Sequence, residues 1–157
     1  MQCDIIIPVW NGLAFTKDCV ESIRRNTDTD HRLIIVDNAS DDDTRKYLEG
    51  LVGQKKQNVL LIRNTVNLGF VKAANQGIAA SEAPFVCALN NDTIVTKDWL
   101  KIMIDIAGRS KDIGIVNPSS NNLGQRPAKG EPIEHYAERL KSGSINKHAE
   151  LGAAIGF

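Results

Sequence analysis

The stretch "RLIIVDNASDDDTRKYLEGLVG", Arg32 to Gly53, carries the pattern from which the fold is read. Leu33 to Val36 is a continuous apolar run. A run of strand length without polar alternation predicts a strand buried on both faces. It stops on Asp37 and Asn38. Ser40 followed by Asp43 fits a capping box, and Asp41, Asp42 and Asp43 favour the positive end of a helix dipole. A helix is therefore predicted over Asp41–Val52, closed by Gly53. A buried strand, a polar break and a helix in quick succession form the repeating unit of a parallel sheet.

The unit recurs on both sides. Upstream, "CDIIIPVW" (Cys3–Trp10) reads as a buried strand, and Leu13–Asn26 as a helix with Phe15, Cys19 and Ile23 on one face. Downstream, "NVLLIRN" (Asn58–Asn64) predicts a third strand and Gly69–Ala80 a third helix, with Val71, Ala74 and Ile78 on one side. "PFVCAL" (Pro84–Leu89) predicts a fourth strand. Lys97–Arg109 follows as a helix with Leu100, Met103, Ile104 and Ala107 in register, and "IGIVNPS" (Ile113–Ser119) as a fifth strand. The alternation predicts an α/β fold: a Rossmann-like, mostly parallel sheet with helices on both faces and right-handed crossovers. From Ser119 to Pro132 the chain is rich in Ser, Asn, Gly and Pro and reads as a surface loop. A further helix is expected over Ile133–Ser142, and residues 143–157 receive no assignment.

The 157 residues suit one domain, residues 1–157, able to bury a core without disulfides or metals. A formal net charge of zero argues against nucleic acid as a partner and against broad attraction to an anionic membrane. The three cysteines, Cys3, Cys19 and Cys87, are odd in number and lie among apolar residues, which predicts buried free thiols in a reducing compartment. Neither a signal peptide nor a membrane-spanning run is visible, so the expected location is the cytoplasm, with the inner face of the membrane as a site of peripheral contact. The apolar ending "LGAAIGF" predicts a fragment of a longer protein.

In an open parallel sheet, ligands bind at the carboxyl ends of the strands. Those ends read "PVWNG" (Pro8–Gly12), "DNASDDDT" (Asp37–Thr44), "NTVNLGF" (Asn64–Phe70) and "NNDT" (Asn90–Thr93). Each carries amide or acid groups. Asp37 and Asn38 either form a turn or recognise a planar base, since carboxylate and amide oxygens accept an imide N–H and an amide donates to a carbonyl. Gly69 lets backbone approach a ligand closely. Asn75, in mid-helix, is expected to bond to a neighbouring loop. In "LNNDT", Asp92 supplies one anionic oxygen, too little for a metal site made by protein alone but enough when a diphosphate brings the other ligands. A turn is the alternative there. Neither GxGxxG nor the P-loop pattern occurs.

Together, "IIIPVWN", "IIVDNASDDDT", "NLGFVKAANQGI" and "LNNDTIVTKDWL" resemble family 2 glycosyltransferases of the GT-A fold, in order and spacing, over roughly the first 100 residues. The resemblance implies a nucleotide-diphosphate sugar as donor, a divalent metal (Mn or Mg), and inverting transfer to the hydroxyl of a saccharide or lipid-linked acceptor, as in polysaccharide biosynthesis. By position it implies Pro8, Trp10 and Asn11 along the nucleoside, Asp37 and Asn38 at the base with Gly69 and Phe70 near it, Asn91 at the ribose, and Asp92 as the metal-binding acid. Two departures stand out. The first acid of the family's Asp-x-Asp motif is Asn90 here, and the second acid after strand two is Asn38. The resemblance places the general base beyond Phe157, so the chain is expected to hold the donor-binding half.

Three other readings compete. A nucleotidyltransferase would show a basic Gly-rich loop after strand one, and "PVWNGLAF" has none. A phospho-accepting signalling domain would show an acidic pair there. A non-catalytic nucleotide-binding module remains open on sequence alone. His31, His135 and His148 are scattered and read as surface residues, Lys55 and Lys56 as a solvated turn, and Trp99 as core. Arg126 and Lys129, in the long loop, could meet a diphosphate.

Overall fold

A computed structural model describes residues 2–54, 58–120, 128–143 and 154–156. Lys55, Lys56, Arg126 and His148 lie outside the described residues. The chain forms two compact units: Met1–Lys17 with Asp30–Asp92, and Asp18–Thr29 with Thr93–Phe157.

The first unit contains a four-stranded sheet. Its strands are β1 (Cys3–Val9), β2 (His31–Asp37), β3 (Val59–Arg63) and β4 (Phe85–Ala88), in the order β3-β2-β1-β4. Every pairing is parallel. β1 is buried along its whole length, as its unbroken apolar run predicts, because both faces of the sheet are covered there. Helix α1 (Leu13–Asn26) has the predicted bounds and crosses from the first unit into the second. Helices α2 (Asp42–Leu51) and α3 (Phe70–Ala79) complete the first unit. The β2–α2–β3 and β3–α3–β4 connections run in opposite directions along the sheet, so right-handed crossovers put α2 on one face and α3 on the other. This is the predicted α/β arrangement.

Several local expectations are corrected. The cap of α2 is Asp41, whose side chain accepts from Thr44 N at 2.9 Å, and not Ser40. Ser40 Oγ instead accepts from Asn11 N at 2.9 Å, a bond between two loops. The buried side of α3 is Ala73, Ala74 and Gly77, while Val71 and Ile78 are exposed. Residue size decides this face. A Cβ on Gly77 would lie 2.2 Å from Ile6 Cγ2, so α3 approaches β1 too closely for larger side chains. Asn75 is exposed, and Gln76 makes the cross-loop bonds expected of it. β4 is buried only at Cys87, because it stands at the edge of the sheet.

Asp4, fully buried on β1, carries a charge into this core. Arg32 on β2 grips its two carboxylate oxygens at 2.9 and 2.8 Å. Ser81 Oγ donates to it at 2.7 Å, and the backbone N–H groups of Glu82 and Ala83 at 3.1 and 3.3 Å. Every oxygen has partners, as a buried carboxylate requires.

The second unit holds β5 (Ile94–Val95), α4 (Trp99–Ala107), β6 (Ser119–Ser120), α5 (Ile133–Gly143) and β7 (Ala154–Gly156). Its sheet has the order β5-β7-β6, with β5 antiparallel and β6 parallel to β7. The last turns of α1 clasp β5: Val95 N donates to Ser22 Oγ at 3.1 Å, and Asn26 Nδ2 to Val95 O at 2.9 Å. Trp99 is core, as expected, and its indole N–H donates to Thr27 Oγ1 at 2.8 Å. The fifth strand predicted over Ile113–Ser119 is not formed. Ile115 is 83% exposed, and strand structure here is confined to Ser119–Ser120. An apolar run becomes a strand only where its backbone groups find a ladder partner. The pieces β5 and β7 were too short to carry a periodic signal.

Candidate functional site

The parallel register aligns the strand ends. Val9 of β1 sits beside Asp37 of β2, and Asp37 beside Arg63 of β3. The residues that follow, Trp10, Asn38 and Asn64, therefore leave the sheet at one level. β4 joins them, since Leu89 N still bonds to Ile6 O at 2.9 Å before the chain turns through Asn90, Asn91 and Asp92. All nine residues singled out for a nucleotide or a metal belong to this one edge of the first unit.

Side-chain bonds knit the four loops together. Asn11 takes a left-handed backbone conformation, φ 57°, which asparagine tolerates. Its N–H donates to Ser40 Oγ, and its Oδ1 accepts from Asp41 N at 2.7 Å. The loop after β1 is thereby tied to the start of α2. Asn91 Nδ2 donates to Thr16 Oγ1 at 3.0 Å and to Asn11 O at 3.4 Å, which ties the loop after β4 to the same place. Ala39 at φ 64° is a strained position for an L-residue and marks the loop after β2 as held by its surroundings.

Asp37 is buried, and its carboxylate is engaged within the chain. Oδ1 accepts from Ser40 N at 2.9 Å, and Oδ2 is paired with Arg63. Asn38, also buried, sits at the centre of an amide network. Its Oδ1 accepts from Leu68 N at 2.9 Å and from Asn64 Nδ2 at 3.1 Å. Its Nδ2 donates to Asn67 Oδ1 at 2.6 Å. Asn64 and Gln76 exchange two bonds, at 2.8 and 2.9 Å. Sequence reading flagged Asn64 only as one of several polar strand ends. It missed Asn67, Gln76, Arg63, Ser40 and Thr16 as partners in the site.

Two aromatic side chains stand out at this edge. Trp10 is 61% exposed directly after β1, and Phe70 is 53% exposed at the first turn of α3. Gly69 precedes Phe70 at φ 81°, a conformation only glycine adopts without strain. Pro8 is buried within β1 and pairs with Val36, so it sets the strand end rather than presenting a surface. Asp92 is exposed at the end of the loop after β4. Among the described residues no group of three or more His, Cys, Asp or Glu is placed to hold a metal. One carboxylate is too few ligands for a cation caged by protein alone.

Cysteine chemistry finds no support. Cys3, Cys19 and Cys87 are buried thiols that form no disulfide. Burial pushes the thiols of Cys3 and Cys87 up to about 12, far from a reactive thiolate.

A parallel sheet with helices on both faces and a polar carboxyl edge defines the class of α/β proteins that take ligands at their strand ends. Solved structures place the fold more narrowly. S. aureus TarS in complex with UDP-GlcNAc matches with a TM-score of 0.64 and 20% identity, over 82% of this chain and 37% of that one. The mannosyltransferase PcManGT from Pyrobaculum calidifontis, in complex with GDP-Man and Mn2+, matches with a TM-score of 0.70 and 17% identity, over 76% of this chain and 35% of that one. The fold is the GT-A fold. Residues 4–154 match the glycosyl transferase family 2 description, and the chain belongs to that family. The putative glycosyltransferase EpsH of Bacillus subtilis (strain 168) is 25% identical over 150 residues, which is 90% of this chain and 43% of EpsH. The chain thus spans less than half the length of that relative. Among the described residues no helix is long and apolar enough to cross a membrane.

Proposed function

We propose that this chain forms the donor-binding half of an inverting, metal-dependent glycosyltransferase that moves a sugar from a nucleoside diphosphate to an acceptor hydroxyl. The observation that carries the reading is the knitting of four strand-end loops at one sheet edge, with Trp10 and Phe70 exposed among their amides. A planar base stacks on an exposed aromatic. Trp10 takes that role, with Asn11 and Pro8 shaping the strand end beneath the nucleoside. Asn38 faces the base, and Asp37 holds the Asn38 loop through Ser40 and Arg63. Gly69 and Phe70 close the base side. Asn91 lies towards the ribose.

Asp92 is the residue that would hold Mn or Mg beside the diphosphate, and the cation would neutralise charge on the leaving group. The reaction itself is attack of an acceptor hydroxyl on the anomeric carbon, with loss of the proton to a base and departure of the nucleoside diphosphate. We assign the base to no residue of this chain. The acceptor is a saccharide or a lipid-linked saccharide. The three buried thiols favour a reducing compartment, so the protein works in the cytoplasm, against the inner face of the membrane when the acceptor is lipid-linked.

The test is thermal and chemical stability with UDP, TDP, CDP and GDP, with and without Mn2+. At about 100 times its dissociation constant the correct nucleotide adds roughly 2.7 kcal/mol to the unfolding free energy. Stability unchanged by all metal–nucleotide pairs would sink the donor-site reading for this chain.

A further inference from the structure

Asn38 has its polarity fixed by backbone. An amide N–H can only donate, so the atom of Asn38 that faces Leu68 N must be its oxygen. The other side is fixed the same way. Gly69 N donates to one side-chain atom of Asn67 at 2.8 Å, which must therefore be Oδ1, and this same atom faces Asn38 Nδ2. Two backbone N–H groups, reached by independent routes, thus orient the Asn38 amide. Asn64 Nδ2 then fills the second lone pair of Asn38 Oδ1, and Gln76 holds Asn64 by a reciprocal pair of bonds.

The hydrogen-bonding capacity of Asn38 follows from this count. Both acceptor sites are taken, by Leu68 and Asn64, and one of two N–H groups is taken, by Asn67. Among the described residues, what remains is a single donor. A carboxylate at the same place would be an acceptor only, and its oxygen would face Asn67 Oδ1.

From this the geometry points to a base read through an acceptor atom: Asn38 donates its remaining N–H to a carbonyl oxygen or an unprotonated ring nitrogen of the nucleobase, and does not accept an imide N–H. Asn64, Asn67 and Gln76 are positioning residues that hold it in this polarity. The inference rests on the reading of this edge as a nucleotide site. It adds that base selection is carried by a donor, and that Asn67 sets which way the donor is presented.

The test uses the 15N-labelled chain, with the Asn38 side-chain protons assigned by their loss in Asn38→Asp. Before ligand, one Nδ2 proton is shifted downfield by its bond to Asn67. On saturation with the tightest of UDP, TDP, CDP and GDP in Mn2+, the second proton is expected to move downfield as well, and inorganic pyrophosphate should leave it in place. Movement of the Leu68 N–H upfield instead, as Oδ1 lets go to take a proton from the base, overturns the inference. So does nucleotide binding to which neither Asn38 proton responds. Absence of binding by all four nucleotides is a different outcome: it removes the site reading, and this inference with it. Asn67→Ala should shrink the ratio between best and worst base by about tenfold, the worth of roughly one hydrogen bond. Asn67→Asp keeps an acceptor for both Gly69 N and Asn38 Nδ2 and should preserve the ratio. Equal ratios in wild type and Asn67→Ala also overturn the positioning role.

Discussion

Asp4→Ala is expected to destabilise the protein by about 3–5 kcal/mol, the usual cost of removing one partner from a buried ion pair. That is a large share of the roughly 5–15 kcal/mol that holds a domain together. The substitution leaves the Arg32 guanidinium largely buried without its counter-ion. It also orphans Ser81 Oγ and the N–H groups of Glu82 and Ala83. Burial alone would raise the carboxyl pKa. The bonds from Arg32, Ser81 and Glu82 override it and bring the group down to about 2. A depressed carboxylate stabilises the folded state above its unfolded pKa, near 4, and that contribution fades as pH falls through 2. A shift of this size is worth on the order of 2 kcal/mol. Urea denaturation at neutral pH and at pH 3 measures both effects. Asp4→Asn should lose stability at neutral pH and show a flatter dependence below pH 4. A loss under 1 kcal/mol for Asp4→Ala would mean that the Asp4–Arg32 clamp does not bear on the sheet.

Gly77→Val is the second large effect. The added Cβ would fall 2.2 Å from Ile6 Cγ2, on a strand with no room to yield. Overpacking of a filled core costs about 1–3 kcal/mol, occasionally more, and valine's two further methyl groups put this site at the upper end. The gain in helix propensity, about 1 kcal/mol for glycine to alanine, does not offset it. The clash is local, so a double-mutant cycle checks its cause. Ile6→Ala should cost about 2–5 kcal/mol by itself, and much of the Gly77 penalty should vanish in its presence. Strict additivity of the two losses would show that the clash with Ile6 is not what the glycine avoids.

The fold was legible because its signal is repetitive. Unbroken apolar runs such as Ile5–Val9 and Leu33–Val36 are what strands buried on both faces require, and polar helices of period 3.6 separate them. The bounds of α1 agree with the expected ones, but its buried stripe runs through Thr16, Cys19, Val20 and Ile23, and Phe15, expected on that face, is 63% exposed. Where the reading failed, packing overrode composition. Val71 and Ile78 are larger and more apolar than Ala73 and Gly77, yet the close approach of α3 to β1 selects the small residues. Ile115 is apolar and exposed, and among the described residues no strand pairs with its segment.

At the proposed site, Asp37 and Asn38 stand at the end of β2 and Asn91 and Asp92 in the loop after β4, and position after a strand is a sequence property. Their bonding partners could not be named. Asn67 and Gln76 acquire meaning only when the loops after β2 and β3 are brought together in space, and spacing along the chain carries no trace of that. The same holds for Arg63, which reads as the exposed end of a strand and turns out to pair with Asp37.

The claim on which the rest depends is that a nucleoside diphosphate and its cation sit at this edge, with the cation at Asp92. Manganese is paramagnetic and broadens the resonances of nuclei near it, so a titration of the 15N-labelled chain with Mn2+ at sub-stoichiometric level, in saturating nucleoside diphosphate, locates the cation directly. The account predicts that broadening is strongest at Asn90–Thr93 and extends to Asn11. It should require the nucleotide and disappear in Asp92→Ala. Broadening centred instead on the exposed acids Asp41, Asp42 and Asp43, or unaltered by Asp92→Ala, would contradict it.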